Sequence, residues 1–417
     1  MSGPIGFEIR ARSKVCNARA GVVSTPHGNF HTPAFMPVGT KGTVKGILPA
    51  LVEETGAEIL LNNTYHMLLR PGPELVAKMG GVHRFMNWHR PILTDSGGYQ
   101  AYSLSETNTV DDDGVTFKSI VDGSTVRLTP ERAVEVQNLL GPDILMALDD
   151  CPPSIDPNVE RPSQTRLESV VKRDTGAQSA RGTKKRGYDH VARLDVANER
   201  TVRWLERCIK AHQRKHDQGL FGIVQGGTDL ERRKWSADRI GALDCPGFAI
   251  GGVAVGESAE DIAKIVRFTA PLLPDSKPRY LMGVGYERDL YEAVRAGVDM
   301  FDCVLPTRNG RNANAFTASG QLRLRNAKHA EDPAPIEPGC DCVACRPGAR
   351  GHFSRGYLRH LFMAEEMLGP ILVTLHNLRH FQRFMADLRA TIGIDDWARF
   401  EKRWPVAISR SPEKSAD

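Results

Sequence analysis

The sequence predicts an α/β protein built on a (β/α)8 barrel of the TIM type, and three observations carry that expectation. Seven short apolar runs between residues 58 and 306 each end in glycines or polar residues and lead into amphipathic segments, and an eighth run, PAFMPVGT (33–40), precedes them. Eight β/α units are what a closed parallel barrel needs, and no GxGxxG follows the first run to favour an open doubly wound sheet. The run ends carry acids, amides and glycines where strand packing alone would ask for branched apolar residues.

Taken in order, the runs are EILLNNTYH (58–66), PILTDSGGYQ (91–100), DILMALDDC (143–151), LFGIVQGG (220–227), GFAIGGVAVG (247–256), PRYLMGVGY (278–286) and DMFDCVLP (299–306). Helical partners such as PERAVEVQNLLG and SAEDIAKIVRFTAPLL repeat apolar residues at three- and four-residue steps. Thr129 before Pro130, and Ser258 before Ala259-Glu260, read as helix N-caps. The barrel is expected over about 30–310 within a single 417-residue domain. TFKSIVDGSTVRLT (116–129) alternates around Asp122-Gly123 and reads as an antiparallel hairpin inserted at about 110–130. The polar, basic stretch at about 152–195 reads as a long loop insertion.

Composition excludes several classes. The chain is 41% hydrophobic and 25% charged, as in ordinary globular proteins. It lacks the roughly 18 to 20 uninterrupted apolar residues of a membrane span, and its opening MSGPIGFEIRARSK has no secretory apolar core. A cytoplasmic protein with no membrane association is expected. Net charge is +5, but Glu160–His190 holds eight Lys/Arg against four Asp/Glu, so one segment supplies +4 of it. Overall charge is therefore weak evidence for a nucleic-acid partner.

Five of the eight cysteines stand alone, whereas Cys340, Cys342 and Cys345 fall within six residues. Such a knuckle suits a tetrahedral zinc ion and not a disulfide framework. The fourth ligand must come from elsewhere, and His352, His360 and His376 are the candidates. Four ligands close the coordination shell, which makes the site structural. A zinc-binding subdomain is expected at about 311–385, followed by a helical region to about 405.

Two acids lie at run ends. Asp95 precedes Ser96-Gly97-Gly98, and Asp302 closes the last apolar run. A lone aspartate is ordinarily a helix cap or an ion-pair partner. Two carboxylates converging on a barrel mouth suit displacement at an anomeric carbon, one as nucleophile and one moving protons. Asp149 and Gln225 offer acceptors and donors to a purine edge, the glycine amides at 251–252 can approach its carbonyl, and Tyr99 and Met282 can sandwich its ring.

At this point the chain resembles the bacterial-type tRNA-guanine transglycosylases. The strings FMPVGTKGTVKG, LLNNTYHMLLRPG, LTDSGGYQ, FGIVQGG, GGVAVGE, YLMGVG, MFDCVLPTRNGRN and CxCxxC with a later LHN occur in family order over most of the chain. The resemblance implies a barrel with a zinc-binding subdomain that exchanges the wobble guanine of tRNAs with a U-G-U anticodon core for 7-aminomethyl-7-deazaguanine. It implies Asp302 as the nucleophile forming a covalent aspartyl-ribosyl intermediate and Asp95 as the general acid/base. It implies base recognition by Asp149, Gln225, Gly252 and Val253, stacking by Tyr99 and Met282, and anticodon-backbone contacts by Arg308 and Arg311. Cys340, Cys342, Cys345 and His376 correspond to the zinc ligands, one ion per subunit of a homodimer. Cys151 and Val255 match members that take the aminomethyl base. Two departures stand out: the span from Asp149 to Gln225 is longer than in typical members, and so is the gap from Cys345 to His376, which contains His352. A non-catalytic tRNA-binding paralogue would be expected to lose the paired acids, which are both present. A barrel glycosidase would be expected to carry tryptophan platforms, and none of the five Trp lies at a run end.

Overall fold

The computed structural model describes residues 3–103, 108–154, 189–254, 257–348 and 351–409. The chain opens with an antiparallel sheet of β1 (Gly6–Arg12), β2 (Arg19–Thr25) and β3 (Gly28–Thr32), which the sequence patterning had not singled out. The barrel strands β4 (Ala34–Met36), β5 (Leu60–Asn62) and β6 (Ile92–Thr94) follow. Next comes a second antiparallel sheet of β7 (Asn108–Val110), β8 (Val115–Lys118) and β9 (Thr125–Leu128). The barrel resumes with β10 (Ile144–Met146), β11 (Gly219–Val224), β12 (Phe248–Ile250), β13 (Arg279–Leu281) and β14 (Met300–Asp302). A last hairpin pairs β15 (Asn314–Thr317) with β16 (Gly320–Arg323).

All eight predicted runs contain a barrel strand. These strands pair in parallel in the order β4-β14-β13-β12-β11-β10-β6-β5, and a parallel bridge from Val38 to Leu61 brings the two ends of the row together. Side-chain alternation then divides each strand. Met36, Leu61, Leu93, Met146, Phe221, Ile223, Ala249, Tyr280 and Met300 share one buried cluster inside the ring, while Phe35, Leu145, Val224, Phe248, Ile250, Leu281 and Phe301 pack outward against the helices. Ile5, Val23 and Phe30 of the N-terminal segment join the inner cluster, so the opening sheet plugs the lower end of the barrel.

The expected caps form: Thr129 accepts from the Arg132 amide and Ser258 from the Asp261 amide. The 116–129 hairpin forms as β8 and β9, with β7 added as a third strand. Of the basic stretch expected as a loop at about 152–195, residues 155–188 lie outside the described residues, and so does Val255. The stretch ends earlier than expected. Asp189 accepts from the Ala192 amide and starts the helix His190–Ala211, so 190–195 is helical. Among the described residues no helix is long and apolar enough to cross a membrane.

Two polar ties hold the plug to the barrel. Buried Arg19 on β2 grips Asp299 through Nε at 2.9 Å and Nη2 at 2.6 Å. At the β2–β3 turn, His27 bonds Asp143 through its backbone amide (3.1 Å) and Nδ1 (2.8 Å), while His83, stacked on it at 3.5 Å, reaches the other Asp143 oxygen at 3.1 Å. The Asp143 carboxylate lifts the His27 pKa above 6.5. Burial pushes Asp143 upward, but the hydrogen bonds from the two histidines win and hold it well below the ordinary carboxylate range. A histidine whose folded pKa is raised stabilises fully below its unfolded value and loses that contribution as pH rises through the folded one. His27→Gln is therefore expected to lower Tm more at pH 6 than at pH 9, as thermal unfolding at the two pH values will measure.

Candidate active site and metal cluster

Every strand-end residue singled out above lies at the C-terminal ends of the barrel strands or just beyond them. Asp95 follows β6, and Ser96-Gly97-Gly98 turns the chain into the helix Gly98–Ser103 that carries Tyr99. Gly97 sits at φ 78°, and a side-chain carbon there would lie 2.9 Å from the Tyr65 amide nitrogen, so the turn tolerates only glycine. Asp302 is the last residue of β14, two beyond inward-facing Met300, and so points up the barrel axis.

The two acids are held differently. Oδ1 of Asp302 accepts from the Tyr280 hydroxyl at 2.6 Å and the Gly283 amide at 2.8 Å, whereas Oδ2 has no hydrogen-bond partner among the described residues. Burial raises the Asp302 pKa, and these two donors oppose the rise. Asp95 is buried. Its Oδ1 accepts from the Thr64 amide at 2.8 Å, and its Oδ2 accepts from the Asn63 side chain and from Gln100 Nε2 at 2.9 Å. Burial dominates there too, and with the added charge of Asp302 it outweighs the Asn63 and Thr64 hydrogen bonds, raising Asp95 to about 6. One acid thus presents an unpaired oxygen, and the other exchanges a proton near neutrality.

Beside them, Gln225 Nε2 donates to Asp149 Oδ2 at 2.5 Å, and burial raises Asp149 to about 7. The adjacent Asp150 is paired instead with Arg193 and Arg200 of the helix His190–Ala211, each at 2.6 Å. Gly252 (φ 61°) lies so close to Gln225 that a side-chain carbon would sit 2.3 Å from Oε1. Val253 is buried, Met282 half-buried and Tyr99 45% exposed, which leaves the tyrosine ring open to a ligand face. Arg308 and Arg311 occur one turn apart on the helix Leu305–Arg311, directly after Asp302. The patterning had not picked out Tyr280 as a site residue. Its position two residues before Met282, on an inward-facing step of β13, was the available signal.

The cysteine knuckle is a separate buried cluster. Nδ1 of His376 lies 3.7, 3.5 and 3.3 Å from the sulfurs of Cys340, Cys342 and Cys345. An ion about 2.3 Å from sulfur and about 2.0 Å from nitrogen in a tetrahedron has sulfur–nitrogen edges of about 3.5 Å, so the four donors fit around one metal ion. His376 Nε2 donates to the Phe316 carbonyl at 2.7 Å, which leaves the Nδ1 lone pair facing the sulfurs. His352 turns its Nε2 to the Pro333 carbonyl, and neither it nor His360 joins the cluster.

Two measurements check this geometry. Carboxyl titration by NMR is expected to place Asp95 near pH 6, and Asn63→Ala, which deletes a donor to the ionised form, is expected to raise that value. Cys342→Ala is expected to lose bound metal in stoichiometric analysis and to unfold at lower temperature, because ligation contributes folding free energy.

The family model described as queuine tRNA-ribosyltransferase matches residues 14–179 and 183–409. A queuine tRNA-ribosyltransferase of Herpetosiphon aurantiacus is 50% identical over 387 residues, covering 93% of this chain and 89% of its own. Those of Streptococcus thermophilus and Anoxybacillus flavithermus are 45% and 44% identical over 399 and 401 residues, covering 96% of this chain and 95% and 96% of their own. With a family model spanning nearly its whole length and relatives this similar end to end, the chain belongs to the queuine tRNA-ribosyltransferase family.

Proposed function

We propose that the protein is a tRNA-guanine transglycosylase, a pentosyltransferase that replaces the wobble guanine of tRNAs with a U-G-U anticodon core by 7-aminomethyl-7-deazaguanine. The observation that carries the reading is the pairing of Asp302, with one oxygen anchored and the other unpartnered, with a buried Asp95 whose pKa is about 6. Oδ2 of Asp302 attacks the ribose C1′, the C1′–N9 bond breaks, and Asp95 gives its proton to the departing guanine. The product of this half-reaction is an aspartyl-ribosyl ester. In the second half Asp95 takes the N9 proton of the incoming base, N9 attacks C1′, and Asp302 leaves as carboxylate.

Tyr99 and Met282 stack the base, Asp149 and Gln225 read its edge, and the amides of Gly252 and Val253 meet its carbonyl. Arg308 and Arg311 suit bidentate contact with anticodon phosphates. Cys340, Cys342, Cys345 and His376 would hold one structural Zn2+ per subunit, as their soft donor set and closed shell favour. Tyr357, Met363 and Leu368, exposed on two helices whose buried faces pack with the cysteines, and Met367 at the start of the second, are consistent with a homodimer. A cytoplasmic location goes with a tRNA substrate.

Asp302→Asn tests the reading. It is expected to abolish incorporation of labelled guanine into tRNA, while tRNA binding in a gel-shift assay stays near the parent value. A covalent enzyme–RNA adduct trapped with Asp302→Asn would remove the assignment.

A further inference from the structure

Arg233, on the helix Leu230–Gly241 that follows β11, is fully buried. Its guanidinium spends its hydrogen bonds on main-chain carbonyls. Nε donates to Gly227 O (2.8 Å), Nη1 to Val224 O (3.2 Å) and Gly251 O (2.7 Å), and Nη2 to Gly252 O (3.0 Å). Burial lowers its pKa to about 10, so it stays cationic at neutral pH. Three residues on, Ser236 Oγ accepts from the Gln225 amide at 3.0 Å, so one face of the helix clamps the whole 224–227 turn.

The carbonyls come from the ends of two adjacent strands, β11 and β12. In a trans peptide the C=O of one residue and the N–H of the next point in opposite directions. Drawing the Gly251 and Gly252 carbonyls onto the guanidinium therefore turns the N–H groups of Gly252 and Val253 away from it. Both residues are buried, and among the described residues neither N–H has a hydrogen-bond partner. Buried backbone donors without partners are rare in folded proteins. Two in succession, both fixed by one cation, mark a place built to receive an acceptor.

We propose that Arg233 is a positioning residue for base recognition: its guanidinium ties the ends of β11 and β12 together through their carbonyls and thereby aims the Gly252 and Val253 amides at the six-ring carbonyl of the bound base. This rests on the reading of the pocket as a guanine site. A planar fork with five N–H groups suits four carbonyls, whereas the three donors of a lysine ammonium do not.

The test compares guanine with 2-aminopurine, which lacks that carbonyl, using the full-length protein. Arg233→Lys is expected to weaken guanine binding by about tenfold or more, the effect of impairing one good hydrogen bond. The KM for tRNA and the Kd for 2-aminopurine should stay within about twofold of the parent. Loss of both bases alike, or of neither, overturns the positioning role, because a general collapse of the pocket does not discriminate between them. Should the variant not fold, hydrogen exchange on the parent protein decides the matter. The Gly252 and Val253 amides are expected to gain protection with guanine but not with 2-aminopurine, and equal protection by both overturns the proposal. A parent protein that exchanges no guanine into tRNA instead overturns the functional reading, a result separable from both.

Discussion

The barrel's period-two alternation is the constraint on which the site depends. In a closed ring of eight strands, every second side chain must enter the interior, and the interior here is filled by Met, Leu, Ile, Phe and Tyr. Whatever occupies the last inward step of a strand therefore meets no further layer of packing above it. Asp302 is two residues beyond Met300 and occupies that step on β14; Tyr280, inward on β13, supplies the hydroxyl that fixes one of its oxygens. The apolar filling below and the chemistry above follow from the same geometry.

That geometry also sets the electrostatics. Asp95, Asp149 and Asp302 all lie where burial strips water from the carboxylate, and their partners are neutral amides and hydroxyls, not cations. Neutral donors recover only part of the lost hydration, so all three pKa values rise. Asp150, one residue from Asp149, has the opposite arrangement, with Arg193 and Arg200 on its oxygens. Sequence neighbours are thus given different chemistry by which face of the chain meets a cation.

The helix Leu368–Ile394 joins the cluster of three cysteines and His376 to the barrel. It carries His376 to the three cysteines, while Asn377 on the next step bonds the Phe316 amide and the Pro306 and Asn314 carbonyls. Further along, His380 meets Glu287 at 2.7 Å, Gln382 reaches the Phe35 carbonyl and Arg389 the Pro33 carbonyl. Gly310 lets the helix that carries Arg308 and Arg311 cross this one at contact distance, since a side-chain carbon there would lie 2.8 Å from Thr374 backbone. The cysteine–histidine cluster and the two arginines therefore share one support.

The eight barrel strands, the hairpin at 116–129 and the cysteine knuckle were legible in the sequence because each is a local signal: an apolar run, an Asp-Gly turn, three thiols within six residues. The strand-end acids and amides were legible for the same reason, since parallel barrels bring all such ends to one face. The opening sheet β1–β3 was not singled out: β1 alternates half-buried and exposed residues, but β2 breaks the alternation with a run of buried ones, and Val23 and Phe30 pack into a barrel formed by chain far downstream. Local sequence left His352, His360 and His376 open as the fourth ligand, and the structure brings His376 to the sulfurs through a helix from a different part of the chain. Arg233 gave no sequence signal, because an arginine in an amphipathic helix ordinarily faces solvent; only tertiary packing surrounds it with carbonyls from two strands. Sequence by itself determined which candidate residues stand at the strand ends and on which elements; tertiary structure decided which Asp302 oxygen stays unpaired, which acids burial pushes up in pKa and which carbonyls the buried Arg233 holds, because those depend on partners that only folding brings within hydrogen-bond reach.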